Sequence, residues 1–235
     1  DLLATRTTPY SALRQEGDNN NTGIGPYGQF TLDYDFTSKL NLNSSLRVND
    51  FSNHTKGTTD NYFSFNGSPY RKLFTSEYDT KTDGLNYDAS IDLKQTFKKS
   101  DQELVLSGQL TNSDRNTDYD VTRLLDSLPA YPILESSLNK SGNREMTLQL
   151  DYTHPFSKAV SIEGGAKTIL RKVKSDYNTK RFSYIADEYL TDLSRSNVFN
   201  YDQDIYAGYL QLSATVKKWG FKAVFAMNTQ SLKEV

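Results

Sequence analysis

Few residues of this chain are placed to do chemistry. Its two histidines, His54 and His154, stand far apart, and neither has a second histidine at the short spacing a zinc site needs. Cysteine is absent, which removes thiolate ligands, a cysteine nucleophile and any disulfide framework. The sequence holds no Gly-x-Ser-x-Gly elbow, no phosphate-binding glycine loop and no dinucleotide fingerprint. Asp114, Asp118 and Asp120, interleaved with Asn112 and Asn116, set oxygen ligands at alternating positions, a weak Ca²⁺ pattern. The cluster lacks the central glycine and closing glutamate of an EF-hand, so a solvated acidic loop is the expected reading. No catalytic, metal-ligating or cofactor-binding residue is assigned, and the chain is not expected to be an enzyme.

Recognition is the better prospect. The chain has Tyr 16, Phe 12 and Trp 1. Many of these rings fall in polar stretches, among them Tyr70, Tyr119 and Tyr184. On loops they could stack on sugar rings or hold a small molecule or peptide; they could equally pack the loops against one another.

What must position them is β structure. Strict alternation of apolar and polar residues marks eight strands, near 27–36, 40–50, 85–97, 103–112, 144–156, 159–172, 203–216 and 220–228. Leu32, Leu42, Ile91, Leu148 and Leu212 represent the apolar face. Arg47, Asp88, Asp92, Lys94, Glu145, Asp151, Glu163, Lys167 and Arg171 fall on the other. The strands group into four hairpins with short turns. Long polar linkers near 51–84, 113–143 and 173–202 separate the pairs and read as loops. Strands of this length, near the 9–11 residues that cross a bilayer at a tilt, joined by short turns at one end and long loops at the other, form the outer-membrane pattern. Phe36, Phe97, Phe156 and Trp219 stand beside the short turns, where an interfacial aromatic girdle belongs.

Composition agrees. A hydrophobic fraction of 36% and a mean hydropathy of −0.68 are poor for a thick core but ordinary for a barrel with an apolar outside and a wet inside. A net charge of −2 gives no basic excess for nucleic acid. No stretch approaches the roughly 20 apolar residues of a membrane helix. The start lacks the basic and apolar regions of a signal peptide, so the chain reads as mature or as a piece of something longer.

The run Ile205-Tyr206-Ala207-Gly208-Tyr209-Leu210-Gln211-Leu212-Ser213, with Phe199-Asn200-Tyr201 before it and Lys217-Lys218-Trp219-Gly220-Phe221-Lys222-Ala223 after it, resembles the barrel portion of TonB-dependent receptors of the Bacteroidetes-type outer-membrane β-barrel family. Gly28 to Leu46 has a similar strand–turn–strand rhythm. The sequence departs from the family pattern after Ala223, reading Val224-Phe225-Ala226-Met227-Asn228, and its end lacks a terminal aromatic residue. The resemblance implies an all-β, antiparallel, up-and-down transmembrane barrel segment, a central piece of a barrel of about 22 strands. It further implies residence in the outer membrane of a Gram-negative bacterium, contact with outer-membrane lipid, and a plug domain and further strands outside this chain. TonB would be engaged through the parent protein, and a nutrient taken up. Two alternatives stay open: a structural or adhesive outer-membrane barrel, and a soluble secreted carbohydrate-binding β-domain.

Overall fold

A computed structural model describes residues 2–8, 11–126 and 131–234. Among them there is no helix. Eleven strands make one sheet: β1 Leu2–Thr8, β2 Ser11–Ile24, β3 Tyr27–Thr37, β4 Leu40–Phe65, β5 Arg71–Thr96, β6 Glu103–Leu125, β7 Ile133–Pro155, β8 Val160–Ser183, β9 Glu188–Thr191, β10 Asn197–Val216 and β11 Trp219–Glu234. Every pairing is antiparallel between neighbours, in the order β1-β2-β4-β5-β6-β7-β8-β10-β11. β3 continues β2 along β4 after Gly25-Pro26, and β9 pairs with the end of β8. The fold is an up-and-down β-barrel segment, open in the described residues.

The eight alternating segments lie inside β3–β8, β10 and β11, but the linkers between them are not loops. Residues 51–65 prolong β4 and 71–84 belong to β5; β6 and β7 extend through most of 113–143, and β8, β9 and β10 through most of 173–202. Residues 127–130 of the expected second loop lie outside the described residues. β1 and β2 precede the first alternating segment and pair with each other, and β2 pairs with the outer part of β4. The physical reason is that above a membrane neither face of a strand has to be apolar. Alternation disappears while the backbone ladder continues. β4 and β5 each have 26 residues, about 85 Å of strand at the usual rise, more than twice what a crossing requires.

Local chemistry explains the turns. Between β3 and β4, Thr37 Oγ1 accepts from the backbone N–H groups of Lys39 (3.1 Å) and Leu40 (3.0 Å), and the register slips at Phe36. That bulge holds the Phe36 ring edge-on to Tyr34, with centroids 4.9 Å apart. Between β4 and β5, Asn66 (φ 49°) and Gly67 (φ 74°) are the two central residues of a turn closed by Ser68 N–H to the Phe65 carbonyl, 3.0 Å. Two left-handed central residues make a hairpin turn whose twist matches its strands, and Asn-Gly is the pair best suited to it.

Candidate functional site: a two-faced wall with a polar ladder

Cross-strand partners share a face, so the register assembles rows across the sheet. One row runs Tyr34, Leu42, Leu93, Leu106, Leu150, Ala166, Gly208, Met227. The next runs Leu32, Ser44, Ile91, Gly108, Leu148, Thr168, Tyr206. Leu212 lies on the same face, paired with Ile162 and Ala223. These side chains meet no second layer: Leu32 is 42% exposed, Ile91 51% and Leu212 47%, and Val121 is the one buried hydrophobic residue described. The five leucine and isoleucine positions singled out from sequence thus stand on one continuous open apolar face, not in a dry interior.

The height of that face is informative. Along β7 and the first residue of the turn after it, the face runs from Met146 to Phe156, about 33 Å of extended chain, or about 23 Å at a 45° tilt, against an apolar band about 25 Å tall in outer-membrane barrels. Phe36, Phe97, Phe156 and Trp219 are all exposed at its turn end. His154, a candidate ligand by type alone, sits in this rim. Its ring is 5.0 Å from Phe156, and its Nδ1 is 3.1 Å from the Tyr152 hydroxyl.

The opposite face is polar and internally bonded. Its central row reads Gln29, Arg47, Asp88, Thr111, Glu145, Arg171, Gln203. Thr111 Oγ1 donates to Asp88 (2.8 Å), Arg171 donates to Glu145 from Nε (2.8 Å) and Nη2 (2.6 Å), and Arg171 Nη1 donates to Gln203 (2.9 Å). Nearer the short turns, the Tyr209 hydroxyl lies 2.7 Å from Asp151 Oδ1 and 2.9 Å from Glu163 Oε1. Gln149 and Gln211 donate to the other oxygens of those carboxylates. Lys94 pairs with Glu103 at 2.6 Å, and Ser107 donates to Asp92. Lateral pairing lets one wall hold so many charges without a facing partner.

Beyond the apolar band the polar face closes over itself. Glu135 on β7 is 5% exposed and is held by Arg123 of β6 and Arg195 of the β9–β10 turn, each at 2.6 Å. Burial works to raise its pKa, and the hydrogen bonds and charges of the two arginines outweigh it, so its carboxyl lies below the usual range. Beside it Thr179 is fully buried. Its N–H donates to Ser196 Oγ (3.0 Å), its carbonyl accepts from the Asp192 N–H (2.7 Å), and its hydroxyl meets Ser137 (3.1 Å). The turn 192–196 therefore folds across β8 onto the polar face.

The aromatics proposed as loop contacts are differently placed. Tyr119 is on β6, on the polar face with Thr80 and Ser137. Tyr184 stacks on Tyr131 at 4.6 Å and donates to the Pro132 carbonyl (2.7 Å). Phe182 sits edge-on to Tyr184 and Tyr189, so these rings pack the rim. Tyr70, 40% exposed, precedes β5. Asp114, Asp118 and Asp120 are strand residues on the outer face of β6 rather than loop residues; extended backbone spreads them apart, so their carboxylates do not converge. Sequence reasoning missed Glu135, Thr179 and Gln203, since no pattern marks a polar residue that burial makes important.

No curated protein matches the sequence. In overall shape the chain is similar to parts of three solved structures. FpvA of P. aeruginosa, bound to a heterologous pyoverdine with iron, shares 9% identity over 94% of this chain and 38% of that one, with a TM-score of 0.35. The siderophore receptor PiuA from Acinetobacter baumannii shares 10% over 97% and 47%, TM-score 0.31. The ferric yersiniabactin uptake receptor FyuA from Yersinia pestis shares 9% over 94% and 41%, TM-score 0.31. The chain spans less than half the length of each. The pattern of one family matches residues 95–223, more than half of the chain, with its short turns, its alternating strands and its apolar outer wall: this chain belongs to the outer membrane protein beta-barrel family.

Proposed function

We propose that this chain forms part of the wall of a TonB-dependent outer-membrane transporter, its apolar face against lipid and its polar face lining a wide, wet lumen. The observation that carries the reading is the ladder from Gln29 to Gln203. A small closed barrel fills its interior with side chains from facing strands, whereas here most of the inward charges find partners in the same wall, Asp88 in Thr111 and Arg171 in Glu145 and Gln203. Such a surface suits water or a hydrated plug. At membrane depth β3 and β11 each have one neighbour among the described residues, and unpaired backbone groups in lipid cost several kcal/mol each. Further strands must cover both edges. The parent protein would bind its nutrient from outside and pass it through the lumen when TonB displaces a plug.

The test is energy-dependent accessibility. The chain has no cysteine, so Lys167→Cys on the polar face is a unique site within it for a membrane-impermeant thiol reagent. In whole cells its labelling rate should fall when TonB is deleted. A rate unchanged by TonB removes the transporter reading and leaves a static barrel.

A further inference from the structure

Above the apolar band both faces of the sheet are wet, yet only one of them is charged. On the outer face one row reads Ser52, Asp83, Asn116, Lys140, Asp176, Val198, and the next begins His54, Lys81, Asp118. Acids and bases alternate there. The inner row between them reads Asn53, Thr82, Thr117, Asn139, Tyr177, Asn197. Further out comes Thr55, Thr80, Tyr119, Ser137, Thr179. Towards the membrane comes Phe51, Gly84, Arg115, Ser141, Ser175, Phe199, in which Arg115 is the one charged residue of the three inner rows. Charge returns above them at Glu135 and Arg181 and below them at Arg47. Solvation does not explain the division, because a wet strand is served as well by charged side chains as by amides and hydroxyls.

Rings punctuate this neutral surface. Phe51 reaches across β5 to cover Gly84, where an added Cβ would lie 2.5 Å from two of its ring atoms. Tyr78 reaches back over Gly57 on β4, where an added Cβ would lie 2.6 Å from its Cζ. Both rings are half-buried and lie along the wall instead of standing off it. On β10, Phe199 stacks on Tyr201 with centroids 6.2 Å apart and planes 11° from parallel. We propose that the inner face of the extended sheet binds a neutral oligosaccharide. Amides and hydroxyls both donate and accept hydrogen bonds, as sugar hydroxyls do, and the carbon face of a sugar ring packs on an aromatic ring. A charged solute would give up its water here for one counter-charge at most. The Phe51 and Tyr78 platforms are separated by about 20 Å of strand, and Asn53, Thr55, Thr80 and Thr82 line the interval. Asn53 and Asn197 have no side-chain partner among the described residues, so their amides are open to a ligand. The inference rests on the reading of the polar face as the inside of a transporter, and it names the class of solute.

The test applies the intact parent protein, purified from outer membranes in detergent, to an array of neutral oligosaccharides and their uronic-acid counterparts of matched length. Those retained are titrated by calorimetry. At least one neutral oligosaccharide should bind in preference to its acidic counterpart. Phe51→Ala and Tyr78→Ala should each weaken it at least about tenfold, as loss of an anchoring ring does, and Tyr78→Phe should retain it. Asn53→Leu/Asn139→Leu, nearly the same size without the amides, should also weaken it. Lys81→Gln/Asp118→Asn on the outer face should change nothing. Heat-modifiable migration on a gel shows that each variant is folded. Retention of no neutral oligosaccharide, equal retention of the acidic forms, or equal loss in the outer-face control overturns the proposal, as does a preference for peptides. Labelling of Lys167→Cys that depends on TonB, without sugar binding, removes this solute class and leaves transport standing. Sugar binding with labelling indifferent to TonB keeps the site and removes transport.

Discussion

Arg171 and Glu145 face each other directly across β7 and β8, and the arginine spends two of its donors on one carboxylate oxygen, Glu145 Oε2, while a third reaches Gln203 on β10. The two partners differ in what their loss would expose. Glu145 and Arg171 are both about a third exposed, and water would screen and replace much of the pair. Gln203 is 8% exposed and would lose the donor to its side-chain oxygen. Glu145→Ala should therefore cost less than about 1 kcal/mol, and Arg171→Ala about 1–3 kcal/mol through the stranded amide. Urea titration of the folded protein in lipid vesicles measures both. A larger loss for Glu145→Ala would contradict this assignment of roles.

The Arg123–Glu135–Arg195 link should make the outer rim sensitive to acid. Glu135 is held below its usual pKa in the folded state, so its contribution is complete above the ordinary glutamate range and is lost as pH falls through the lowered value. Hydrogen exchange across residues 184–196 should accelerate below that range while exchange in 146–156 stays slow. At neutral pH, Glu135→Gln should reproduce the acid behaviour and lose its dependence on pH. A rim that opens equally in wild type and variant at acid pH would show that another group governs it.

Gly67, at φ 74°, should resist replacement. A Cβ there meets no neighbouring atom within 4 Å, so any cost is conformational rather than steric. Gly67→Ala should destabilise the end of the β4–β5 hairpin by about 1–2 kcal/mol, seen as faster exchange at residues 60–75 with no change near Leu42 or Leu93. Global destabilisation would mean that the extension and the membrane-level sheet form one cooperative unit.

That hairpin also shows what could be read in advance. At membrane depth each strand needs one apolar and one polar face, and Leu85 to Phe97 or Met146 to Phe156 display it openly. Higher up, Asn53-His54-Thr55-Lys56 and Asp18-Asn19-Asn20-Asn21 have both faces wet. The asparagines, aspartate and lysine in these runs are poor strand formers in isolation, and they form strands because a neighbouring ladder already exists. Asn66-Gly67 was a legible turn signal inside the polar stretch, and Thr55, Thr58, Thr75, Thr80 and Thr82 supplied β-branched support for extending both strands towards it. The inner network was less accessible. That Arg171 bears inward follows from alternation, but its pairing with Glu145 depends on inter-strand register, set by turns whose lengths differ by single residues. Thr179 and Glu135 matter because the turn 192–196 folds over them, a tertiary event without a local pattern.

The alternation of environment along β7 tests the account most directly. A nitroxide placed singly from residue 144 to 156, in the protein reconstituted in bilayers, reports collision with dissolved oxygen and with a water-soluble nickel complex. Oxygen accessibility should peak at 146, 148, 150 and 152, nickel accessibility at 147, 149 and 151, and the contrast should vanish outward of 144. Nickel-accessible labels at 148 and 150, or labels at both parities shielded from either reagent, would contradict a lipid-facing wall.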